Sequence, residues 1–348
     1  MRVLLTGSAG FIGTATSAAL RDAGHEVVGV DALVPQAHSL PVSTSDGLHV
    51  LDVRDAGDWV DLLRGTDVVC HLAAMVGAGV TVADLPLYAA HNDLGTAALL
   101  AAMAEAGVRR LVQASSMVVY GEGRYVCRTH GPQAPAPRRI ADLDAGLFDN
   151  RCPRCGEVLG WETVSEDAVL DPRSSYAASK VAQEHYAAAW VRQAPGSAIS
   201  LRYHNVYGPG MPKDTPYCGV AALFRSAMEA GRAPLVFEDG GQVRDFVHVE
   251  DVARANVAAV EAVAARPSGS HAAYNVCSGR PVTILEVARL VTEGQPGSAA
   301  PVVTGDYRLG DVRHVVASPV RAAAELGFTA DISPEQGLAR FAHDPLRG

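Results

Sequence analysis

Thr6-Gly7-Ser8-Ala9-Gly10-Phe11-Ile12-Gly13 follows the apolar run Val3–Leu5 and leads into an amphipathic stretch, the order of a strand, a glycine-rich loop and a helix. Glycines at 7, 10 and 13 allow a tight turn, close approach of backbone to a pyrophosphate, and close packing of helix on strand. The Gly-x-x-Gly-x-x-Gly spacing differs from the Gly-x-Gly-x-x-Gly form, and a glycine triplet standing alone fits a merely structural turn. The strand before it and the helix after it favour dinucleotide binding, with Gly7, Gly10, Phe11, Ile12 and Gly13 as the cofactor contacts.

Asp31 ends the second apolar run, some twenty residues on, where a carboxylate accepts hydrogen bonds from the adenosine ribose hydroxyls. It repels a 2′-phosphate, so NAD is expected rather than NADP; a capping or loop aspartate is the competing reading. Asp52, followed by Val53, is a candidate neighbour of the adenine. Over the first 120 residues short apolar runs alternate with longer amphipathic ones, the βαβ signature of a parallel sheet. Strands are expected at Val3–Leu5, Val27–Val30, Leu48–Leu51, Val68–Leu72 and Leu111–Ala114, and a helix from about Leu94 to Ala106, ended by Gly107.

From Gly121 to about Asp171 periodicity gives way to prolines, arginines and glycines, which reads as an irregular insertion too long for an ordinary connection. Helical periodicity resumes over Tyr176–Arg192 and a strand follows at Ile199–Tyr203. Further helices are expected at Val220–Ala230, Val252–Ala264 and Ile284–Glu293. The fold class is therefore α/β: a Rossmann-type, doubly wound parallel sheet over residues 1–205, carrying the insertion. A smaller α/β domain follows over 206–348, mainly for substrate, with some segments returning to the sheet.

Tyr176-Ala177-Ala178-Ser179-Lys180 puts a tyrosine and a lysine four apart on one helix face. A free phenol, with pKa about 10, is a poor base at neutral pH; a nearby ammonium favours the phenolate. A chance pair on an exposed helix is the competing reading. Against it stand the glycine loop, Ser115-Ser116 at the end of the fifth strand, and the scarcity of lysine. Of the 29 basic residues only Lys180 and Lys213 are lysines.

Taken together the glycine loop, Leu72-Ala73-Ala74, Ser115-Ser116 with Tyr120-Gly121, and Tyr176/Lys180 resemble the extended short-chain dehydrogenase/reductases. Tyr203-His204-Asn205-Val206-Tyr207-Gly208-Pro209 and Arg244-Asp245-Phe246-Val247-His248-Val249 extend the match to nearly the whole chain outside the insertion. The nearest branch is that of UDP-galactose 4-epimerase and related sugar-nucleotide epimerases and dehydratases. The resemblance implies that Ser116 hydrogen-bonds the sugar hydroxyl to be oxidised, that Tyr176 takes its proton while NAD takes the hydride, and that Lys180 also holds the nicotinamide ribose. It adds Leu72, Ala73, Ala74, Asn92, Ser115 and Tyr203 to the cofactor contacts, and implies that Asn205, Arg244 and Arg308 grip the nucleotide diphosphate. An arginine fork suits phosphate oxygens, although any one of these arginines alone is as well explained by a surface ion pair. His204 departs from the family's usual aromatic residue, and His248 reads as structural.

The family's 4,6-dehydratases carry Asp-Glu directly after the active-site Ser or Thr. Here Met117 and Val118 stand there and can do no acid–base chemistry; a decarboxylase glutamate would also fall at Val118. An epimerase is the expected enzyme: NAD oxidises a sugar hydroxyl, the ketone reorients, and hydride returns to the other face. A dehydratase, a ketosugar reductase, or a dinucleotide-sensing binding protein on the same fold are the alternatives. The substrate is expected to be a UDP-, dTDP- or GDP-sugar. The resemblance also implies a homodimer formed through the Tyr176 helix and a neighbouring one.

Cys127-Arg128-Thr129-His130 and Cys152-Pro153-Arg154-Cys155 give a Cys-x-x-His and a Cys-x-x-Cys pair with 21 residues between them. Two such knuckles offer four ligands in the arrangement a structural zinc requires; a redox pair at Cys152/Cys155 or ordinary buried thiols are the alternatives. Cys70, Cys218 and Cys277 are scattered and read as core or loop residues. The formal charge of −9 argues against a nucleic-acid or membrane-surface partner, and no apolar run reaches the roughly 18 residues needed to span a bilayer. With no signal-peptide pattern after Met1-Arg2, the expected location is the cytoplasm.

Overall fold

The computed structural model describes residues 1–35, 38, 47–77, 81–213 and 219–347, so Cys218 lies outside the described residues. Seven parallel strands make the main sheet, in the spatial order Ser270–Val276, Ser197–Tyr203, Arg110–Ser116, Val68–His71, Arg2–Thr6, Glu26–Asp31, Leu48–Val50. Strands buried on both faces need apolar side chains pointing both ways. Val3 and Leu5 accordingly join Cys70, Val112 and Ile199 in one core layer. Leu4 joins Val69, Leu111 and Ala198 in the other. The helices Phe11–Asp22 and Val249–Ala265 cover the first layer, through Leu20, Val252 and Ala259. Gly95–Ala106 and Ser175–Gln193 cover the second, through Leu99, Met103 and Trp190.

The expected elements are present with ends shifted by at most three residues. Gly107, at φ +77°, closes the helix Gly95–Ala106 in the left-handed conformation, which a residue without Cβ adopts freely. The helix expected from Val252 begins at Val249, because His248 caps it by accepting the Glu250 N–H on Nδ1 at 3.3 Å. His248 is thus a structural cap.

The stretch 121–171 corrects the sequence reading. It is irregular only in part: between turns and loops, Arg124–Cys127 runs antiparallel between Gly131–Gln133 and Gly160–Glu162, and a short helix follows at Ile140–Asp144. Strands of three or four residues, one with Pro132 in it, are too short to display an alternating pattern. Their shared core is small: Tyr125, Cys127, Cys152 and Leu159, with Trp161 beside them.

After Tyr203 the chain builds a second, four-stranded sheet from Asn205–Tyr207, Val243–His248, Pro281–Thr283 and His314–Val315. Phe224, Phe246, Leu338 and Phe341 fill the core beside it. The segment 206–348 also returns the strand Ser270–Val276 to the main sheet. Between the two sheets, at the carboxyl ends of the parallel strands where such folds bind ligands, lies one deep cavity.

Candidate active site

The cavity holds about 800 Å³ and runs from the glycine loop to Arg244 and Arg308, a volume at the upper end of ordinary ligand sites. Packing dictates the loop at its floor. A Cβ on Gly13 would sit 1.9 Å from the Gly7 carbonyl oxygen, and one on Gly7, at φ +69°, would sit 2.7 Å from the Ala73 nitrogen. No side chain fits at either place, so the helix Phe11–Asp22 starts hard against the loop. No side chain caps its N-terminus, which leaves backbone N–H groups directed at the cavity as a phosphate requires.

Asp31 is buried at 8% exposure. Its Oδ2 accepts from Ala9 N at 3.0 Å, its Oδ1 from Leu33 N at 2.9 Å, and His38 Nε2 stands 3.3 Å from Oδ1. Arg347 donates to Ala9 O at 2.6 Å and also meets His38. Asp52 is held by the Arg54 guanidinium and backbone N–H, which keep its carboxyl below the usual range. Val53, Leu72, Ala73, Ala74 and Tyr203 also line the cavity.

Asn92 does not. Its Oδ1 accepts from Met75 N at 2.7 Å, and its Nδ2 donates to Met75 O and to Ser179 Oγ, each at 2.9 Å. It is fully buried and ties the wall segment at Met75 to the Tyr176 helix. The widened helical turn Ala89–Leu94 places it there, and no sequence pattern announces such a turn.

At the carboxyl end of the strand Arg110–Ser116, on the same sheet edge as the glycine loop, Ser116, Tyr176 and Lys180 converge. The strand Arg110–Ser116 ends at Ser116, and Ser174 caps the helix Ser175–Gln193 by accepting from Ala177 N at 3.1 Å. Ser116 Oγ accepts from Val118 N at 3.4 Å at the end of its strand. The Lys180 ammonium lies 5.9 Å from the Tyr176 ring centre and donates to Ala114 O at 3.1 Å. Burial pushes the Tyr176 phenol above its ordinary value, with the neighbouring Ser116 hydroxyl acting in the opposite sense. Burial brings Lys180 down to about 7, with Glu184 acting in the opposite sense.

Glu184 is a residue the sequence reading missed. It takes the Ser115 hydroxyl at 2.5 Å and accepts from Nε and Nη2 of Arg202 at 2.9 and 2.7 Å. Arg202 also donates to Tyr120 Oη at 2.9 Å. Glu184 stands four residues after Lys180, on the same helix face, and that spacing is the signal that could have found it. Ser115, Tyr120 and the Lys180 helix form one buried network beneath the site.

In the substrate half, Asn205 donates to Asp245 O at 2.8 Å and meets Met117 Sδ at 3.4 Å. Arg244 donates to the carbonyls of Val243, Arg313 and Val312 at 2.9, 2.8 and 2.5 Å. A guanidinium has five N–H donors, so Nε and one further N–H remain to face the cavity that the side chain lines. Arg308 stacks over Phe237, 5.0 Å from its ring centre, at the same end.

The four proposed metal ligands come together in the insertion, all within 4.8 Å of one another. Cys127 Sγ lies 3.6 Å from His130 Nδ1 and 3.7 Å from Cys155 Sγ, and Cys152 Sγ lies 3.6 Å from His130 Nδ1. Zinc bonds of about 2.3 Å to sulfur and 2.0 Å to nitrogen, at tetrahedral angles, put two sulfurs roughly 3.8 Å apart and sulfur and nitrogen roughly 3.6 Å apart. Donor set and spacing both fit that ion.

The NAD dependent epimerase/dehydratase family model matches residues 3–138 and 154–277, leaving out within that span only 139–153, the part of the insertion that holds the helix Ile140–Asp144 and Cys152. The dTDP-L-rhamnose 4-epimerase of Burkholderia thailandensis is 36% identical, over 98% of this chain and 93% of its own. The UDP-glucose 4-epimerase of Thermotoga maritima, solved with UDP-glucose, superposes with a TM-score of 0.79 at 27% identity, over 98% of this chain and 97% of that one. MoeE5, solved with UDP-glucuronic acid and NAD, gives a TM-score of 0.74 at 31% identity, over 97% of each chain.

Proposed function

The chain belongs to the NAD-dependent epimerase/dehydratase family, and on that premise we propose that it is a nucleotide-sugar 4-epimerase. The observation that carries the reading is Tyr176 with Lys180 beside it, both lining a cavity whose other walls offer a glycine loop and two arginines, with Ser116 at the end of the strand that Lys180 binds. Ser116 orients the reacting sugar hydroxyl, and Tyr176 takes its proton and later returns it. Lys180 supplies the positive charge that lowers the cost of the phenolate. NAD, when bound, supplies the acceptor and then the donor of hydride at the reacting carbon. Asp31 holds the adenosine ribose, and Arg244 and Arg308 hold the diphosphate.

Epimerisation is favoured over water loss by what lines the sugar end. Among the described residues the carboxylates of the cavity lining are Asp31, Asp52 and Asp311, and none lies in the stretch Ser115–Gly121. Met117 and Val118 occupy the positions where a dehydratase needs acid–base groups. The expected partner is a UDP-, dTDP- or GDP-sugar.

The ligand set Cys127, His130, Cys152 and Cys155 holds a structural zinc, which stands in for the apolar core that so small a sheet lacks. A homodimer through the helices Gly95–Ala106 and Ser175–Gln193 fits the exposure of Leu94 and Tyr186 beside and on them. Among the described residues no helix is long and apolar enough to cross a membrane, which is compatible with work in the cytoplasm.

Incubating the protein with UDP-, dTDP- and GDP-sugars tests the reading. The expected product has unchanged mass and one inverted stereocentre, with no net change in absorbance near 340 nm. Consumption of reduced cofactor in proportion to product would mean a reductase, and a product lighter by one water a dehydratase.

A further inference from the structure

The cavity wall that carries Arg308, Asp311 and Val312 runs on into a backbone stretch held from two sides. From the substrate sheet, Arg244 binds the carbonyls of Val312 and Arg313, and His314–Val315 pairs with Val243 and Arg244. From the insertion, Tyr125 Oη accepts from His314 N at 3.0 Å and Val164 N donates to Val316 O at 2.8 Å.

The strongest link between insertion and wall is ionic. Glu238, 2% exposed and at φ +54°, receives one arginine on each oxygen: Arg138 of the insertion on Oε1 and Arg313 of the wall on Oε2, both at 2.7 Å. A side-chained residue in the left-handed region persists only where its surroundings over-determine it, and two buried guanidinium contacts do so. Arg313 is held further by Asp149 of the insertion at 2.8 Å and by Asp239 at 2.8 and 2.9 Å. Arg138 also donates to Phe148 O at 3.1 Å and, from its second arm, to Asp311 O at 2.6 Å. Arg138 is not among the residues that line the cavity, so it is not placed to reach a bound phosphate. It is a strut from the insertion to the wall.

We propose that the Arg138–Glu238–Arg313 bridge is a positioning device for nucleotide-diphosphate recognition, through which the metal-binding insertion orders the wall bearing Arg308 and Asp311. This rests on the reading of the cavity as a nucleotide-sugar site. The bridge belongs to the substrate half, whereas Ser116, Tyr176 and Lys180 are fixed by the main sheet and its helix. Loosening it therefore weakens substrate binding and leaves the proton transfer alone.

The test compares wild type with Arg138→Met, both loaded with NAD, by calorimetric titration with UDP, dTDP and GDP. Arg138→Met is expected to bind the preferred nucleotide diphosphate roughly tenfold more weakly. The KM for the sugar nucleotide should rise by the same factor, with kcat within about twofold and NAD content unchanged. Arg138→Lys keeps a charge beside Glu238 but cannot serve all three acceptors, so it should fall between the two; if Arg138→Met also loses NAD, Arg138→Lys decides. Wild-type nucleotide affinity in the deciding variant, or a loss confined to kcat, overturns the proposal. A wild-type protein that binds none of the three diphosphates overturns instead the nucleotide-sugar reading on which it rests.

Discussion

The Lys180 ammonium donates a 3.1 Å hydrogen bond to the Ala114 carbonyl, two residues before Ser116, and so pins the helix that carries Tyr176 to the strand that presents Ser116. One side chain thereby sets the spacing of the reacting pair and places a positive charge beside the phenol.

That placement has a cost visible in pH dependence. Burial lowers Lys180 to about 7 from its ordinary 10.5, so between these values the unfolded chain binds a proton that the NAD-free native protein does not. Stability through this group therefore rises with pH across that window, and the full penalty applies below it. Lys180→Met should gain stability relative to wild type at pH 6, with the difference shrinking steadily toward pH 10. Thermal melts of both NAD-free proteins at pH 6, 8 and 10 measure it; a difference that does not vary with pH would show that Lys180 keeps its charge in the native state at no penalty.

Tyr176→Phe removes the phenol and keeps the ring against Tyr88, whose centre lies 5.7 Å away. Turnover should fall by roughly 10²–10⁴, as for other general acid–base groups, while NAD stays bound. Full activity in this variant would take Tyr176 out of the proton transfer.

Asp31 should decide the cofactor. Two unit charges about 4 Å apart repel by roughly 4 kcal/mol at an effective dielectric of about 20, so a 2′-phosphate is strongly disfavoured beside this carboxylate. Asp31→Ser should lower the preference for NAD over NADP by tenfold or more, read as the ratio of the two dissociation constants. An unchanged ratio would take the discrimination away from Asp31.

The insertion should carry about one zinc per chain, found by elemental analysis of extensively dialysed protein. Cys155→Ala should abolish it and make the segment 121–171 open to proteolysis before the main sheet unfolds. Metal-free wild type with a protease-resistant insertion would refute the zinc site.

Much of the fold was legible because its determinants are local. Strand, glycine turn and helix follow one another at residues 2–22, and each glycine's reason lies within that unit or the strand beside it. Tyr176 and Lys180 share a face because four residues span about one helical turn. The two cysteine-containing pairs, each with side chains three residues apart, announced the cluster of Cys127, His130, Cys152 and Cys155 for the same reason. Tertiary structure alone decided what depends on chain segments meeting. Asn92 braces Met75 and Ser179 and stays off the cavity lining. The segment 121–171 holds a sheet whose strands are too short to register as a pattern. Arg138 reaches a glutamate 100 positions away, and Arg313 reaches the same carboxylate from 75 positions on the other side. An arginine in a sequence looks the same whether water or a buried carboxylate will receive it; only closure of the intervening chain, and the loss of water that follows, makes the difference.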